Sequence, residues 1–428
     1  MAAAASPPPP PSRPLLASHS AVRAAVSRSV GASARRGRLA AGDHPPQVAA
    51  LRRGDWVKLI CGASFEDAAD VRNLSLVYTL AGVDCIDCAA DASVVAAVNE
   101  GIDLAASIVP TVHRPWVMVS VNDDCRDLHF RKAEFDPEDC PPDCPKPCEK
   151  VCPADAISLQ SVIIEAKHAR SDPSCAKLEG GVITERCYGC GRCLSVCPYD
   201  RIRAMPYVRD PTMTAELLKR SDVDAIEIHT TGKETDMFNT LWSSLGESIN
   251  NVKLIAISLP NVGDSTVNFM NAIYRTMQSN LQGYNLWQLD GRPMSGDIGR
   301  GATRETVSFA VHLSSISNRP PVWFEGFYQL AGGTNPHTVD CLKKAGLFQS
   351  TTFPGAATSG MINCQHAFIG GIAYGGYARK IVGRVLRKIP AQFGHARIED
   401  HSDYLLEALH EALSLVGPVK GYPTLPSL

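Results

Sequence analysis

The first 42 residues contain neither aspartate nor glutamate, and the chain as a whole carries a formal net charge of only −2 over 428 residues. It has no long apolar run and no recognisable catalytic series. Each absence excludes something. Near-zero net charge argues against the basic footprint of a nucleic-acid-binding protein at the global level. No stretch reaches the ~18 consecutive apolar residues of a bilayer-spanning helix, so no transmembrane segment is expected. The acid-free start holds seven serines and six arginines among many alanines and prolines, and it lacks the apolar core of a secretory signal. That is the composition of an organelle transit segment. Its Ser/Pro/Ala bias points to the chloroplast stroma, with the mitochondrion as the alternative. Residues 1–42 are therefore expected to be a transit peptide; Asp43 is the first acid, and folded-looking sequence begins near Trp56. No Ser-His-Asp order or paired-carboxylate spacing stands out, and Lys233 lacks the apolar setting of a Schiff-base lysine. No catalytic acid or base is assigned.

What the chain does have is cysteine. Eight of its fifteen cysteines fall within 58 residues, in two runs that both end in Cys-Pro. The first is Cys140, Cys144, Cys148 and Cys152 before Pro153; the second is Cys187, Cys190, Cys193 and Cys197 before Pro198. The second has the C-x2-C-x2-C-x3-C-P spacing of bacterial-type ferredoxins, in which the fourth cysteine binds the other cluster. Two runs then hold two [4Fe-4S] cubanes: Cys140, Cys144, Cys148 and Cys197 hold one, and Cys187, Cys190, Cys193 and Cys152 the other. Soft thiolates suit iron–sulfur clusters or zinc. Four-cysteine zinc sites, however, usually use two separated Cys-x-x-Cys knuckles, which these evenly stepped runs fit poorly. Disulfides between such close neighbours would be strained.

The first run departs from the ferredoxin spacing by one residue in each of its first two gaps. It carries Pro141, Pro142, Pro145 and Pro147, which lack an N–H, where the second carries Gly189 and Gly191. Hydrogen bonds to cluster sulfurs influence the reduction potential, and Arg186 and Arg192 flank the second run. The cluster on Cys140–Cys148 is therefore expected to have the lower potential.

Outside the cysteine region, β-rich runs alternate with helical periodicity. Strands are expected at Val57–Ala63, Val83–Ala89, Trp116–Val121, Ala225–His229, Lys253–Leu259, Asn285–Asp290, Phe327–Ala331 and Ala367–Gly371. Helices are expected at Glu66–Leu80, Ser93–Ala106, Thr235–Ser248, Thr266–Leu281, Arg304–Ile316, Thr338–Ala345 and Tyr377–Lys388, with a last one at Asp403–Leu415. Such alternation predicts an α/β fold with a parallel sheet. Residues 57–124 and 208–395 together approach the ~250 residues of a (β/α)8 barrel, with an open doubly wound sheet as the alternative. Residues 125–207 become an inserted α+β ferredoxin-like 2[4Fe-4S] module after strand three, and 43–124, 208–395 and 396–428 become the two barrel parts and a C-terminal helix and tail.

Late barrel strands often cradle phosphate with glycine-rich loops. Candidates here are Gly332, Gly333 and Thr334 after strand seven, and Gly370, Gly371, Gly375 and Gly376 after strand eight, with Arg379 and Lys380 following. Gly296, Gly299, Arg300 and Gly301 lie in the strand-six loop. Together they suit a flavin mononucleotide or sugar phosphate, though glycines also simply make tight turns. Polar groups at strand ends are Asn122, Asp123, His229, Asp290 and Arg292; His229 follows the alternating Ile226-Glu227-Ile228 and could point into the site. Cys85 and Cys88 fall on opposite faces of a strand and read as core, as do Cys61, Cys341 and Cys364. Cys125 and Cys175 lie close enough to the cluster runs to be substitute ligands.

With the two cysteine runs, the segment His129-Phe130-Arg131-Lys132-Ala133-Glu134-Phe135-Asp136-Pro137 and the Asp224–His229 strand, the chain resembles the cyanobacterial light-dependent period proteins and their plastid relatives from about Trp56 to Lys388. That resemblance implies an iron–sulfur protein responsive to the photosynthetic electron pool; the clock role of the cyanobacterial proteins is not readable from any residue. Two functions stay open. One is an electron carrier or redox sensor with an unidentified redox protein or quinone as partner. The other is an oxidoreductase whose module feeds electrons to a flavin or phosphate-bearing substrate in the barrel mouth.

Overall fold

The structure, a computed structural model, describes residues 19–38, 44–124, 130–162, 177–206, 209–291, 299–315, 326–351, 366–389 and 397–423. Eight of its strands form a closed parallel barrel: β1 (Trp56–Gly62), β2 (Cys85–Ala89), β3 (Trp116–Asn122), β8 (Ala225–His229), β9 (Leu254–Pro260), β10 (Tyr284–Asp290), β11 (Gly326–Ala331) and β12 (Gly371–Tyr374). Closure comes from Trp56 pairing with Gly371, and β3 pairs directly with β8. The four strands numbered between them, β4 (Arg131–Glu134), β5 (Ile157–Val162), β6 (Lys177–Val182) and β7 (Arg203–Pro206), form two separate antiparallel pairs. The expected barrel with an insert after strand three is what the chain forms.

The strands are nearly continuous apolar runs because both faces are covered, as parallel sheets require. Helices Ala68–Ala81, Ala92–Ile108, Pro211–Leu218, Asp236–Leu245, Ser265–Met277, Arg304–Ser315, Thr338–Lys344 and Gly376–Leu386 each follow a barrel strand, the third after the insert. Side-chain carboxylates cap three of them, Asp67 accepting from Asp70 N, Asp91 from Ser93 N and Asp210 from Thr212 N, which satisfies otherwise orphaned amides. Pro211–Leu218 had no counterpart in the sequence reading. Inside the barrel, the N-terminal end is plugged by helix Pro46–Arg53, whose Val48, Ala50 and Leu51 pack with Trp56, Trp116, Met118 and Leu286.

The last strand differs from expectation. The run 367–371 was read as strand eight, but the strand is Gly371–Tyr374, and Ala367-Phe368-Ile369-Gly370 is its approach. Four apolar residues fix neither period nor ends. The physical anchor is Gly371, where a Cβ would stand 2.2 Å from Trp56 O, so the closing strand can start only at a residue without a side chain.

The C-terminal helix is Ser402–Lys420, longer than expected, and includes Pro418 in its final turn. A further helix, Ser20–Arg38, packs on it. Val22 and Ala25 there are fully buried, and the His19 Nε2 hydrogen-bonds Glu399 O at 2.9 Å. This docked helix lies within the stretch read by composition as transit peptide.

Candidate metal centre and the barrel mouth

The inserted module is an approximate internal duplication with an offset of 45 residues. Helix Pro147–Val151 ends at Cys152 and helix Arg192–Val196 at Cys197, with matching end conformations (φ −71, ψ 111 and φ −70, ψ 113). The sequences Val151-Cys152-Pro153-Ala154-Asp155-Ala156-Ile157 and Val196-Cys197-Pro198-Tyr199-Asp200-Arg201-Ile202 then take the same path. Asp155 (φ 47) and Asp200 (φ 52) are both left-handed, and so are Lys146 (φ 50) and Gly191 (φ 73) at the helix starts. In each half the amide four residues past the Cys-Pro cysteine donates to its sulfur: Ala156 N to Cys152 Sγ at 3.2 Å and Arg201 N to Cys197 Sγ at 3.4 Å. Strand pairing β4–β7 and β5–β6 brings the halves together, so each Cys-Pro cysteine is carried to the other half's loop.

The thiols sort accordingly. Cys140 is held above its ordinary pKa by burial, then by Cys144 and Cys197; Cys148 by burial, then by Cys144 and Cys140. Cys190 is raised by burial, then by Cys152 and Cys187, and Cys193 is pushed up to about 12 by burial, then by Cys190, Cys187 and Cys152. The groups that repel one another's charge are thus the two crossed sets expected from the spacing. An open-mouthed cavity of about 430 Å³, counting its mouth, is lined by Cys152, Cys187, Cys190 and Cys193 together with Gly189 and Gly191. Among the described residues no three Cys, His, Asp or Glu side chains are placed to hold a single metal ion. A mononuclear zinc site would need sulfurs about 3.8 Å apart at Zn–S near 2.3 Å, whereas a cubane is held by four cysteines around a larger body. The four thiols lining one cavity are the soft donor set that an iron–sulfur cluster takes. Cys125 and Cys175 fall outside the described residues, as do Cys364, Arg292 and Gly296.

Glycine is required at Gly189, where φ is +73 and a Cβ would lie 2.2 Å from Arg131 O. Arg131 Nε in turn donates to Gly189 O at 2.9 Å, and Ala133 N donates to Cys187 Sγ at 3.3 Å. The module's own core is small: Cys148, Ile157, Leu159, Cys193 and Ile202 are its buried members. Two of those five are proposed ligands, so metal binding and folding are linked here.

The module is clamped to the C-terminal end of the barrel by the loop after β1. Glu66 pairs with Lys132 Nζ at 2.5 Å and with Arg209, Asp67 pairs with Arg186 Nε at 2.9 Å, and Glu66 N donates to Glu185 O at 2.7 Å. Tyr188, next to the second set, lies edge-on to Phe65, and the Arg379 guanidinium sits 4.1 Å from its ring centroid. The second set is thereby the one held against the barrel.

Beneath the module, the barrel lumen holds a buried polar network of which only His229 and Asp290 were expected from the sequence. Lys58 on β1 is fully buried, bonded to Glu227 on β8 and 3.7 Å from Asp87 on β2. Ser120 Oγ donates to Asp87 Oδ1 at 2.5 Å. Glu227 Oε1 accepts from Gln288 Nε2 at 2.7 Å and lies 2.9 Å from His229 Nε2. Gln329 Nε2 donates to Gln288 Oε1, and Trp56 Nε1 to Gln329 Oε1. Asp290 accepts from Ser258 Oγ and from Gln288 Nε2. Burial disfavours charge on Lys58, yet Glu227 and then Asp87 outweigh it and hold its pKa above the ordinary lysine value. Glu227 is held well below the usual carboxylate range, because Lys58 and then His229 overcome the cost of its burial. Asp87 goes the other way, raised to about 7, first by burial and then by Glu227 against the pull of Lys58. The signal that could have found this was a polar residue on the lumen-facing parity of each strand, Lys58 and Asp87 alone in theirs and Glu227 with His229 in the third.

His229 does point into the lumen, as expected, and Phe130 stacks edge-on over it at 5.2 Å. Asn122 is buried at the same rim, its Nδ2 donating to Asp124 O while its Oδ1 has no partner. Lys233 is exposed. Cys85 lies in the lumen core and Cys61 and Cys88 in the outer core, all fully buried; Cys341 packs partly buried against the outer core. The expected phosphate loops divide. Gly370 and Gly371 are at the start of β12, paired beside Trp56 at the N-terminal end, and so cannot face a site at the mouth. Gly375 and Gly376 do stand at the C-terminal end, where a helix begins. Gly333 is packed on Ala302 O, and Thr334 Oγ1 donates to Ala373 O at 2.5 Å. Arg379 is turned to Cys61 O and the Tyr188 ring.

Two family models match the chain: the LdpA Fe-S cluster-binding domain over residues 140–208 and the Light dependent period A C-terminal domain over 217–418. Light dependent period A of the cyanobacterium Synechococcus elongatus is 39% identical over 371 residues, which cover 87% of this chain and 93% of that protein. The cluster-binding model spans both cysteine runs and the crossed halves. The chain is an iron–sulfur protein belonging to the light dependent period A family.

Proposed function

We propose that this chain is a plastid protein with two [4Fe-4S] clusters that carries or senses electrons of the photosynthetic pool. Cys140, Cys144, Cys148 and Cys197 hold one cluster, and Cys152, Cys187, Cys190 and Cys193 the other. The observation that carries this reading is the cavity whose sulfur lining is the second crossed set. Bound there, a cubane supplies one-electron transfer. The chain's residues supply four thiolates, amide donors to sulfur, and a cover of Tyr188, Arg131 and Arg192. Among the described residues, no helix is long and apolar enough to cross a membrane; the electron partner proposed is a redox protein or a quinone.

Serine replacement of the two Cys-Pro cysteines tests the crossing. Cys152→Ser should abolish the EPR signal that Cys193→Ser abolishes, and Cys197→Ser the one that Cys140→Ser abolishes. If Cys152→Ser instead removes the Cys140 signal, the halves do not exchange ligands and the reading fails. The second reading, an oxidoreductase acting on a flavin or phosphate-bearing substrate, draws on Gly375 and Gly376 at the C-terminal end of the barrel. The two carboxylates and committed lysine in the lumen beneath favour a neutral or cationic ligand over a phosphate. Flavin released from protein purified without air would favour that reading nonetheless.

The docked helix Ser20–Arg38 also refines the leader. Cleavage at residue 42 would strip Val22, Ala25 and Val26 from the core. We place the removable segment before His19.

A further inference from the structure

We propose that the barrel lumen is the proton site of the adjacent cluster: when the cluster on Cys152, Cys187, Cys190 and Cys193 is reduced, Asp87 takes up one proton within the Lys58–Glu227–His229 network. This rests on the two-cluster reading and goes beyond it, because neither the cysteine pattern nor family membership assigns any role to the lumen.

The geometry joins the two sites by one short segment. Ala133 N is bonded to Cys187 Sγ, and three residues earlier the Phe130 ring covers His229. Three residues of extended chain span roughly 10 Å, so the network begins roughly 13 Å from the cluster's ligands. Phe130 is fully buried. The network is arranged to accept a proton rather than to neutralise itself. Its one lysine faces two carboxylates, Glu227 taking the close contact and Asp87 the longer one at 3.7 Å. The groups facing Asp87 are Lys58 from β1, Ser120 from β3, and Glu227 and His229 from β8, with Cys85 on the same face of its own strand; Asp290 on β10 joins through Gln288. His229, 7% exposed, and Asp290, 8% exposed, are the members nearest solvent. Burial places the Asp87 carboxyl near neutrality, where a small added field changes its proton occupancy.

The step balances simply. An external one-electron donor gives one electron to the oxidised cluster, solvent gives one proton, and the Asp87 carboxylate becomes the carboxylic acid. Reoxidation releases both. At an effective dielectric near 20, an added charge roughly 13 Å away favours protonation about tenfold, which is the upper bound for Asp87, since that distance reaches only the His229 edge of the network.

The test is a mediated redox titration of the full chain with its clusters, at pH 6, 7 and 8, following both EPR signals. The second-set midpoint should fall from pH 6 to pH 8 by up to about 59 mV, a tenfold change in the equilibrium for one electron, while the first-set midpoint stays constant. Asp87→Asn should fix the second-set midpoint near its acid-side value. Ser120→Ala, which removes the hydroxyl stabilising the carboxylate, should move the inflection to higher pH, and it serves should the Asn variant not fold. Reduction should also raise a protonated-carboxyl infrared band that Asp87→Asn lacks. A second-set midpoint that is constant across this range with both clusters present overturns the inference. Protein that binds no iron overturns the cluster reading, and this inference with it.

Discussion

Replacing Glu227 with glutamine isolates what the lumen network contributes to the fold. The variant leaves Lys58, fully buried, with Asp87 at 3.7 Å as its one remaining carboxylate. Removing one partner of a buried ion pair costs about 3–5 kcal/mol, because the other charge is left uncompensated. Asp87 can recover part of this by staying ionised beside Lys58, which brings the expected loss to roughly 2–4 kcal/mol. For a unit of this size each kcal/mol lowers Tm by about 2–4 °C, so a fall of roughly 5–15 °C is expected. Thermal unfolding followed by tryptophan emission suits the measurement: Trp56 packs edge-to-face on Trp116 at 6.0 Å and donates to Gln329, two hydrogen bonds from Glu227. Lys58→Met combined with Glu227→Gln removes both charges and should regain most of the loss, since a pair replaced together strands nothing. A Tm for Glu227→Gln within about 2 °C of the parent would refute the buried pair, that being the ordinary range of a surface substitution.

Four further outcomes are expected. Gly189→Ala must place a Cβ against Arg131 O in a left-handed conformation, and should cost the second cluster while leaving the first EPR signal. The second set receives amide donors from Ala133, Arg192 and Ala156, the first from Glu149 and Arg201; the first cluster should titrate at the lower potential, and an EPR titration showing it reduced first contradicts this. Because burial raises the Asp87 carboxyl to about 7, its favourable contribution is present below the ordinary carboxylate range and is lost as pH rises through about 7; Asp87→Asn should flatten the fall in Tm between about pH 4 and 7. N-terminal sequencing of protein isolated from plastids should find a start at or before His19, and a start near residue 43 would contradict the docked helix.

How much of this was legible depended on whether a property is local in sequence. Parallel strands are covered on both faces, so runs such as Trp116–Asn122 and Ala225–His229 announced themselves, and the carboxylates of Asp67, Asp91 and Asp210 lie where the helix starts were expected or later found. Cysteine spacing foretold which cysteines the fold brings together, Cys152 with Cys187, Cys190 and Cys193, and Cys197 with Cys140, because the pattern of the runs is itself local in sequence. The closing strand was misplaced because Ala367–Ile369 has no period of its own, and only Trp56, over three hundred residues earlier, decides where pairing begins. Lys58 and Asp87 each looked like an isolated polar residue in an apolar strand, and Glu227 like one step of the alternation that ends at His229. Barrel closure and register put them in one layer, and no local window contains that information. Helix Ser20–Arg38 was hidden by composition: a sequence suited to a leader can also place Val22, Ala25 and Val26 on one helical face.

If two cubanes are held by exchanged cysteines, the iron content of the chain and of its serine variants follows. Protein prepared without air should carry about eight iron and about eight acid-labile sulfide per chain, the content of two [4Fe-4S] clusters, falling to about four of each in Cys152→Ser and in Cys197→Ser. One zinc or two per chain with no sulfide, or four irons that both serine variants lose together, would contradict it.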